Sequence, residues 1–126
     1  MRRPRIQAVD RVTLEATADC REALRAFYGE MIGLNEMKSD PPESGLRFGT
    51  RRLDLSIRFV ESPDVDGLSP RLVIGVALLG RVESELHERS IEFHRRRGLS
   101  WTDQRLVLLD PAGHRIELKQ EWPAVF

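Results

Sequence analysis

The feature that most constrains this chain is an approximate internal repeat. Thr50-Arg51-Arg52-Leu53-Asp54-Leu55 reads like Gly113-His114-Arg115-Ile116-Glu117-Leu118, and Arg11-Val12-x-Leu14 like Arg71-Leu72-x-Ile74. Apolar residues alternate with charged ones at a spacing of two, the period of a strand with one buried face. Such self-similarity means one supersecondary unit used twice, stacked so that the copies bury apolar surface together.

The elements between the repeats agree. Ile6 to Ala16 predicts a first strand, with Val12, Leu14 and Ala16 on one face and Arg11, Thr13 and Glu15 on the other. Asp19 and Glu22 form a capping pair, and Leu24, Phe27, Tyr28 and Met31 recur at helical spacing up to a stop at Gly33. Short strands follow at 35–38 and 46–48, then a longer one at 52–60, where Leu53, Leu55, Ile57 and Phe59 oppose Asp54, Ser56 and Arg58. Glu61 to Pro70, rich in Pro and Gly, is the linker. The second copy runs as a strand from Arg71 to Leu79, a helix from Val82 to Arg89, a brief strand from Ile91 to His94, a basic turn at Arg95-Arg96-Arg97-Gly98, and a closing hairpin. That hairpin joins 105–109 to 114–119 through Asp110-Pro111-Ala112-Gly113, where Pro presets φ, Gly tolerates positive φ and Asp bonds its own downstream backbone. The division is a single domain over 1–126, with module one at about 5–60, the linker at about 61–70 and module two at about 71–121.

Composition narrows the class of function. The 126 residues suffice for one core, and 20 basic residues balance 20 acidic ones, so no global field draws in nucleic acid or an anionic membrane. Apart from Lys38 and Lys119 the positive charge is arginine, the better planar anion binder. Cys20 is alone, which removes a disulfide framework and fits a reducing cytoplasm. The basic start lacks the apolar run of a signal peptide, and the stretch Leu72 to Leu79 is too short to span a bilayer. Together these readings predict a cytoplasmic protein.

The ending Asp110-Pro111-Ala112-Gly113-His114-Arg115-Ile116-Glu117-Leu118 resembles the DP-x-G-x-x-x-E-L close of the vicinal oxygen chelate family. Val9 to Leu14, with Ala26-Phe27-Tyr28 and Ile32-Gly33-Leu34, is similar to that family's opening strand and helix. Its members include glyoxalase I, extradiol dioxygenases, fosfomycin- and bleomycin-resistance proteins and methylmalonyl-CoA epimerases. The resemblance implies an α+β fold of two βαβββ modules forming a curved mixed sheet, glyoxalase/bleomycin resistance-like, with helices on the outer face. It also implies a homodimer.

The same resemblance implies a divalent metal held by a His or Gln on the first strand and a Glu on the last strand of each module. Carried onto this sequence, the four positions are Arg11, Asp54, Arg71 and Glu117. Guanidinium has no lone pair to give, so neither arginine is a ligand, and no metal or other cofactor is expected. His87, His94 and His114 occupy none of these positions and read as surface or turn residues. Three functions follow. The leading one is a metal-free protein that binds a small polar or anionic molecule in a concave cavity, through Arg11, Asp54, Arg71, Glu117, Ser56 and Arg58. The second is a divalent-metal-dependent or acid-base lyase, isomerase or dioxygenase, with Glu117 and Asp54 as candidate catalytic groups. The third is an association protein whose site is closed by Arg11–Asp54 and Arg71–Glu117 ion pairs.

Overall fold

The computed structural model describes residues 10–64, 72–97 and 104–121. Module one runs β1 (Asp10–Ala16), a helical segment, β2 (Asn35–Met37), β3 (Gly45–Gly49) and β4 (Leu53–Phe59). Module two runs β5 (Leu72–Val76), α2 (Leu79–Glu88), β6 (Phe93–Arg97), β7 (Gln104–Leu109) and β8 (Arg115–Gln120). Two four-stranded sheets result, ordered β1-β4-β3-β2 and β5-β8-β7-β6. In each, the first and last strands of the module pair in parallel and the rest antiparallel. The mixed sheets are curved and unclosed, as the repeat and the resemblance led one to expect.

Alternation decides which face is buried. Leu14, Ala16, Leu53, Leu55 and Ile57 in module one join Leu72, Ile74, Val76, Leu106, Leu108, Ile116 and Leu118 in one continuous core. The helices close that face and leave the other side of each sheet polar.

The module-one helix is less regular than its spacing predicts. It opens with a 3-10 turn at Ala18–Cys20, forms α1 over Arg21–Arg25 and widens into a π-turn at Ala26–Met31. The widening brings Phe27, Tyr28 and Met31 all into the core, with the rings of Phe27 and Tyr28 edge to face at 4.9 Å. Gly33, at φ 91°, ends it. The Asp19–Glu22 cap does not form: no side chain caps the helix, and Asp19 accepts instead from the Thr17 hydroxyl. In module two, α2 begins at Leu79 rather than Val82, because Gln120 Oε1 on β8 accepts the Leu79 N–H at 3.1 Å.

The basic turn expected at 95–98 is strand as far as Arg97. Each face of β6 finds an acid: Arg95 pairs with Glu83 on α2, and Arg96 with Glu117 on the sheet. A run of arginines therefore sits in a ladder that its composition argued against.

Two buried bonds tie the modules together. Tyr28 donates its hydroxyl to Asp110 Oδ2 at 2.6 Å, and Asp110 Oδ1 accepts the Ala112 and His114 N–H groups, each at 2.9 Å. Burial and the Asp110 charge hold the Tyr28 phenol well above its usual range. His114, read as a surface or turn residue, does close the turn but is 2% exposed, and its Nε2 donates to the Glu15 carbonyl at 2.6 Å. A carbonyl only accepts, so Nε2 carries a proton.

Candidate functional site

The polar faces of the two sheets hold every sequence-predicted site residue among the described positions. In module one the parallel register sets Arg11 beside Asp54, Thr13 beside Ser56 and Glu15 beside Arg58, as their alternation implied. The expected Arg11–Asp54 pair is displaced. Arg47, on β3, grips Asp54 with both prongs, Nε to Oδ1 at 3.0 Å and Nη2 to Oδ2 at 2.9 Å. That grip holds the Asp54 carboxyl below its usual range, with the Arg11 charge adding to it. Arg58 similarly holds Glu15, through Nη2 to Oε2 at 2.6 Å, and the Asp64 N–H donates to Oε1 at 3.1 Å. Glu15 is lowered by these same contacts. Arg47 was open to a sequence reading, since it alternates with Leu46 and Phe48, but the short strand offered no repeat partner to draw attention to it.

A cavity of about 420 Å³ opens on this face, walled by Thr13, Arg47, Asp54, Ser56 and Arg58 and rimmed by Lys38. Gly45 on its floor cannot be replaced freely: a Cβ there would lie 2.1 Å from the Ile57 carbonyl oxygen. The loop beside it, residues 39–44, carries a cis Asp40–Pro41 bond and a 3-10 turn at Pro42–Ser44.

In module two Glu117 stands between Val73 and Val107 in its row and is fully buried. Its partners come from the next row, Arg96 Nη1 to Oε1 at 3.1 Å and Arg105 Nη1 to Oε2 at 3.5 Å. Arg96, Arg105 and Lys119 are opposite one another across three strands, an arrangement of like charges that the Glu117 carboxylate compensates. Arg71 lies outside the described residues, and the register puts Val73, not Arg71, across from Glu117. The repeat frame was therefore two residues out. Because the strand period is two, a slip of two keeps every residue on its expected face, so alternation could not detect it. A second cavity, of about 450 Å³, opens here among His94, Arg96, Val107, Leu108, Leu109 and Arg115.

The metal that the resemblance implies does not fit this donor set. Arg11 and Val73 offer no lone pair, and the oxygens of Asp54 and Glu117 are already engaged by guanidinium groups. Among the described residues no three His, Cys, Asp or Glu side chains converge. His94 is the one histidine on either polar face; His87 packs its ring edge to face on Phe93, on the helix side. Trp101 and Trp122, on either side of the last hairpin in sequence, lie outside the described residues.

These two modules, their topology and their concave polar faces define the fold of the vicinal oxygen chelate superfamily. Solved structures carry the comparison. A Bacillus anthracis protein placed in the glyoxalase family superposes with a TM-score of 0.75 at 26% identity, over 95% of this chain and 99% of that one. A glyoxalase/dioxygenase from Nostoc punctiforme gives 0.70 at 19%, over 98% and 97%. Lactoylglutathione lyase from Agrobacterium tumefaciens gives 0.69 at 17%, over 92% and 95%. No family model matches the chain, and no curated protein does.

Proposed function

We propose that this chain is a glyoxalase/dioxygenase-fold protein that binds a small anionic molecule on its concave face, with arginines where the resemblance implies a metal. The observation that carries the reading is the fate of the two carboxylates at those implied positions. Each is held by guanidinium groups, Asp54 by Arg47 and Glu117 by Arg96 and Arg105, and cations remain in excess beside them. On module two Arg96, Arg105, Arg115 and Lys119 share the face with Glu117, and with Glu121 at its end beside Gly75, so four cations face two acids among the described residues. The chain as a whole is neutral, so this concentration is local and points at a ligand of opposite sign.

Two further observations favour binding over the other readings. The Arg47–Asp54 pair lines one open cavity and Arg96 borders the other, and neither cavity is filled, which argues against a site closed by its own charges. Glu117 is sealed from solvent with both oxygens engaged, the wrong setting for a group that must reach a substrate proton. No helix of the described residues is long and apolar enough to cross a membrane.

The test is a melting series on the full chain with small carboxylates and phosphates, on wild type, Arg47→Gln and Arg96→Gln. Saturable stabilisation by an anion, reduced in one of these variants, supports the reading. Uniform insensitivity to every anion overturns it.

A further inference from the structure

The two cavities differ in chemistry. That of module one has a mixed lining, with Lys38, Ser39, Asp40, Asp54 and Ser56 set among Leu46 and Ile57. That of module two has an apolar floor, Val107 and Leu109, between Arg96 and His94 on one side and Arg115 on the other. Leu109 is 59% exposed, an unusual position for a large aliphatic residue in a strand whose other face is core. Arg96 is held at one nitrogen only: Nη1 donates to Glu117, and among the described residues Nε and Nη2 have no partner. Arg115 and His94 likewise make no hydrogen bond or ion pair among the described residues.

Accepting that the concave face binds an anion, we propose that the module-two cavity takes a small arylalkyl carboxylate. Its carboxylate sits on the open edge of Arg96 and its ring lies over Val107 and Leu109. A guanidinium edge presents parallel N–H donors that match the two oxygens of a planar carboxylate. The adjoining Val107–Leu109 floor would be wasted on a compact inorganic anion. A cavity of about 450 Å³ is the size of known small-molecule sites. Glu117 is then a positioning residue: fully buried and bonded to Nη1, it fixes the plane of Arg96 before the ligand arrives.

The experiment is an NMR titration of the isotopically labelled full chain with phenylacetate, and with inorganic phosphate and benzyl alcohol as separate probes. Phenylacetate is expected to bind saturably, shifting the amides of 94–96, 107–109 and 115. Benzyl alcohol and phosphate should each bind at least ~10-fold more weakly, since each lacks one half of the recognition. Arg96→Gln and Leu109→Ser should each weaken phenylacetate by about tenfold or more, and Arg89→Gln, at the C-terminal cap of α2, should leave it unchanged. Both substituted side chains are largely exposed, so these variants are expected to fold. Phosphate binding as tightly as phenylacetate, or phenylacetate shifting only module one, overturns the assignment and leaves the anion reading standing. Silence toward both anions overturns both. If phenylacetate does not bind and Leu109→Ser turns a dimer into a monomer in sedimentation, the patch is a contact with a second copy and the proposal fails.

Discussion

Replacing Glu117 by Gln keeps the size and shape of the side chain and removes one charge. In the folded protein that charge is fully buried and faces two guanidinium groups, Arg96 at 3.1 Å and Arg105 at 3.5 Å. Breaking a buried pair by neutralising one partner costs about 3–5 kcal/mol when the orphaned charge stays buried. Here the orphans differ: the Arg96 side chain is 54% exposed and can rehydrate, whereas Arg105 is 26% exposed and can do so only in part. The cost is therefore discounted to just below that range, about 2–3 kcal/mol. For a chain of this length that is a fall of roughly 8–12 °C in Tm, read by circular dichroism and checked by urea melts. Because the carboxylate is shielded from salt, the loss should persist in molar NaCl. A double-mutant cycle with Arg105→Met should show a coupling above about 1 kcal/mol, since removing both partners spares the orphan. A loss under about 0.5 kcal/mol, or additivity in the cycle, would refute the claim that Glu117 is a structural anchor for the arginines.

Tyr28→Phe removes the buried bond to Asp110 and should cost about 1–2 kcal/mol in urea melts. Tyr28 is the single tyrosine, and its phenol is raised, so the neutral form supports the fold below the usual phenol pKa of 10.0 and that support is lost as pH rises beyond it; phenolate absorbance should therefore appear together with alkaline unfolding and not before. Asp54 is lowered from 3.8, so its stabilisation by Arg47 is complete above that value and fades as pH falls through it; the stability difference between wild type and Arg47→Gln should be flat near neutrality and shrink below pH 3.8 in an acid melt series. Gly45→Ala puts a methyl group 2.1 Å from the Ile57 carbonyl and should destabilise by about 1–3 kcal/mol, measured by the same melts.

How much of the fold is legible in the sequence depends on which signals are local. Strand periodicity at Leu53–Phe59 and Arg115–Gln120 is a property of neighbouring residues, so the strands, their faces and the two-module plan were legible. Arg95 to Arg97 was misread because the acids that make a strand of it, Glu83 and Glu117, are distant in sequence. The burial of His114 at its turn was not legible for the same reason: its partner is the Glu15 carbonyl, on the other module. The candidate site was legible in its faces and not in its pairs. Arg11 and Asp54 are neighbours as expected, yet the carboxylate turns to Arg47 across the sheet. Alternation fixes which way a side chain points, and pairing is then chosen among all the long side chains that point there.

If guanidinium groups stand where the resemblance implies a metal, the chain should hold no divalent ion there. The decisive experiment is calorimetric titration of the EDTA-treated full chain with Mn(II), Fe(II), Co(II), Ni(II) and Zn(II) in turn. Saturable binding of none of them at one ion per chain is the predicted result, with Arg11 and Val73 unable to donate and both carboxylates engaged. One ion bound per chain, and lost in Asp54→Asn or Glu117→Gln, would contradict it and make metal chemistry the leading account of this face.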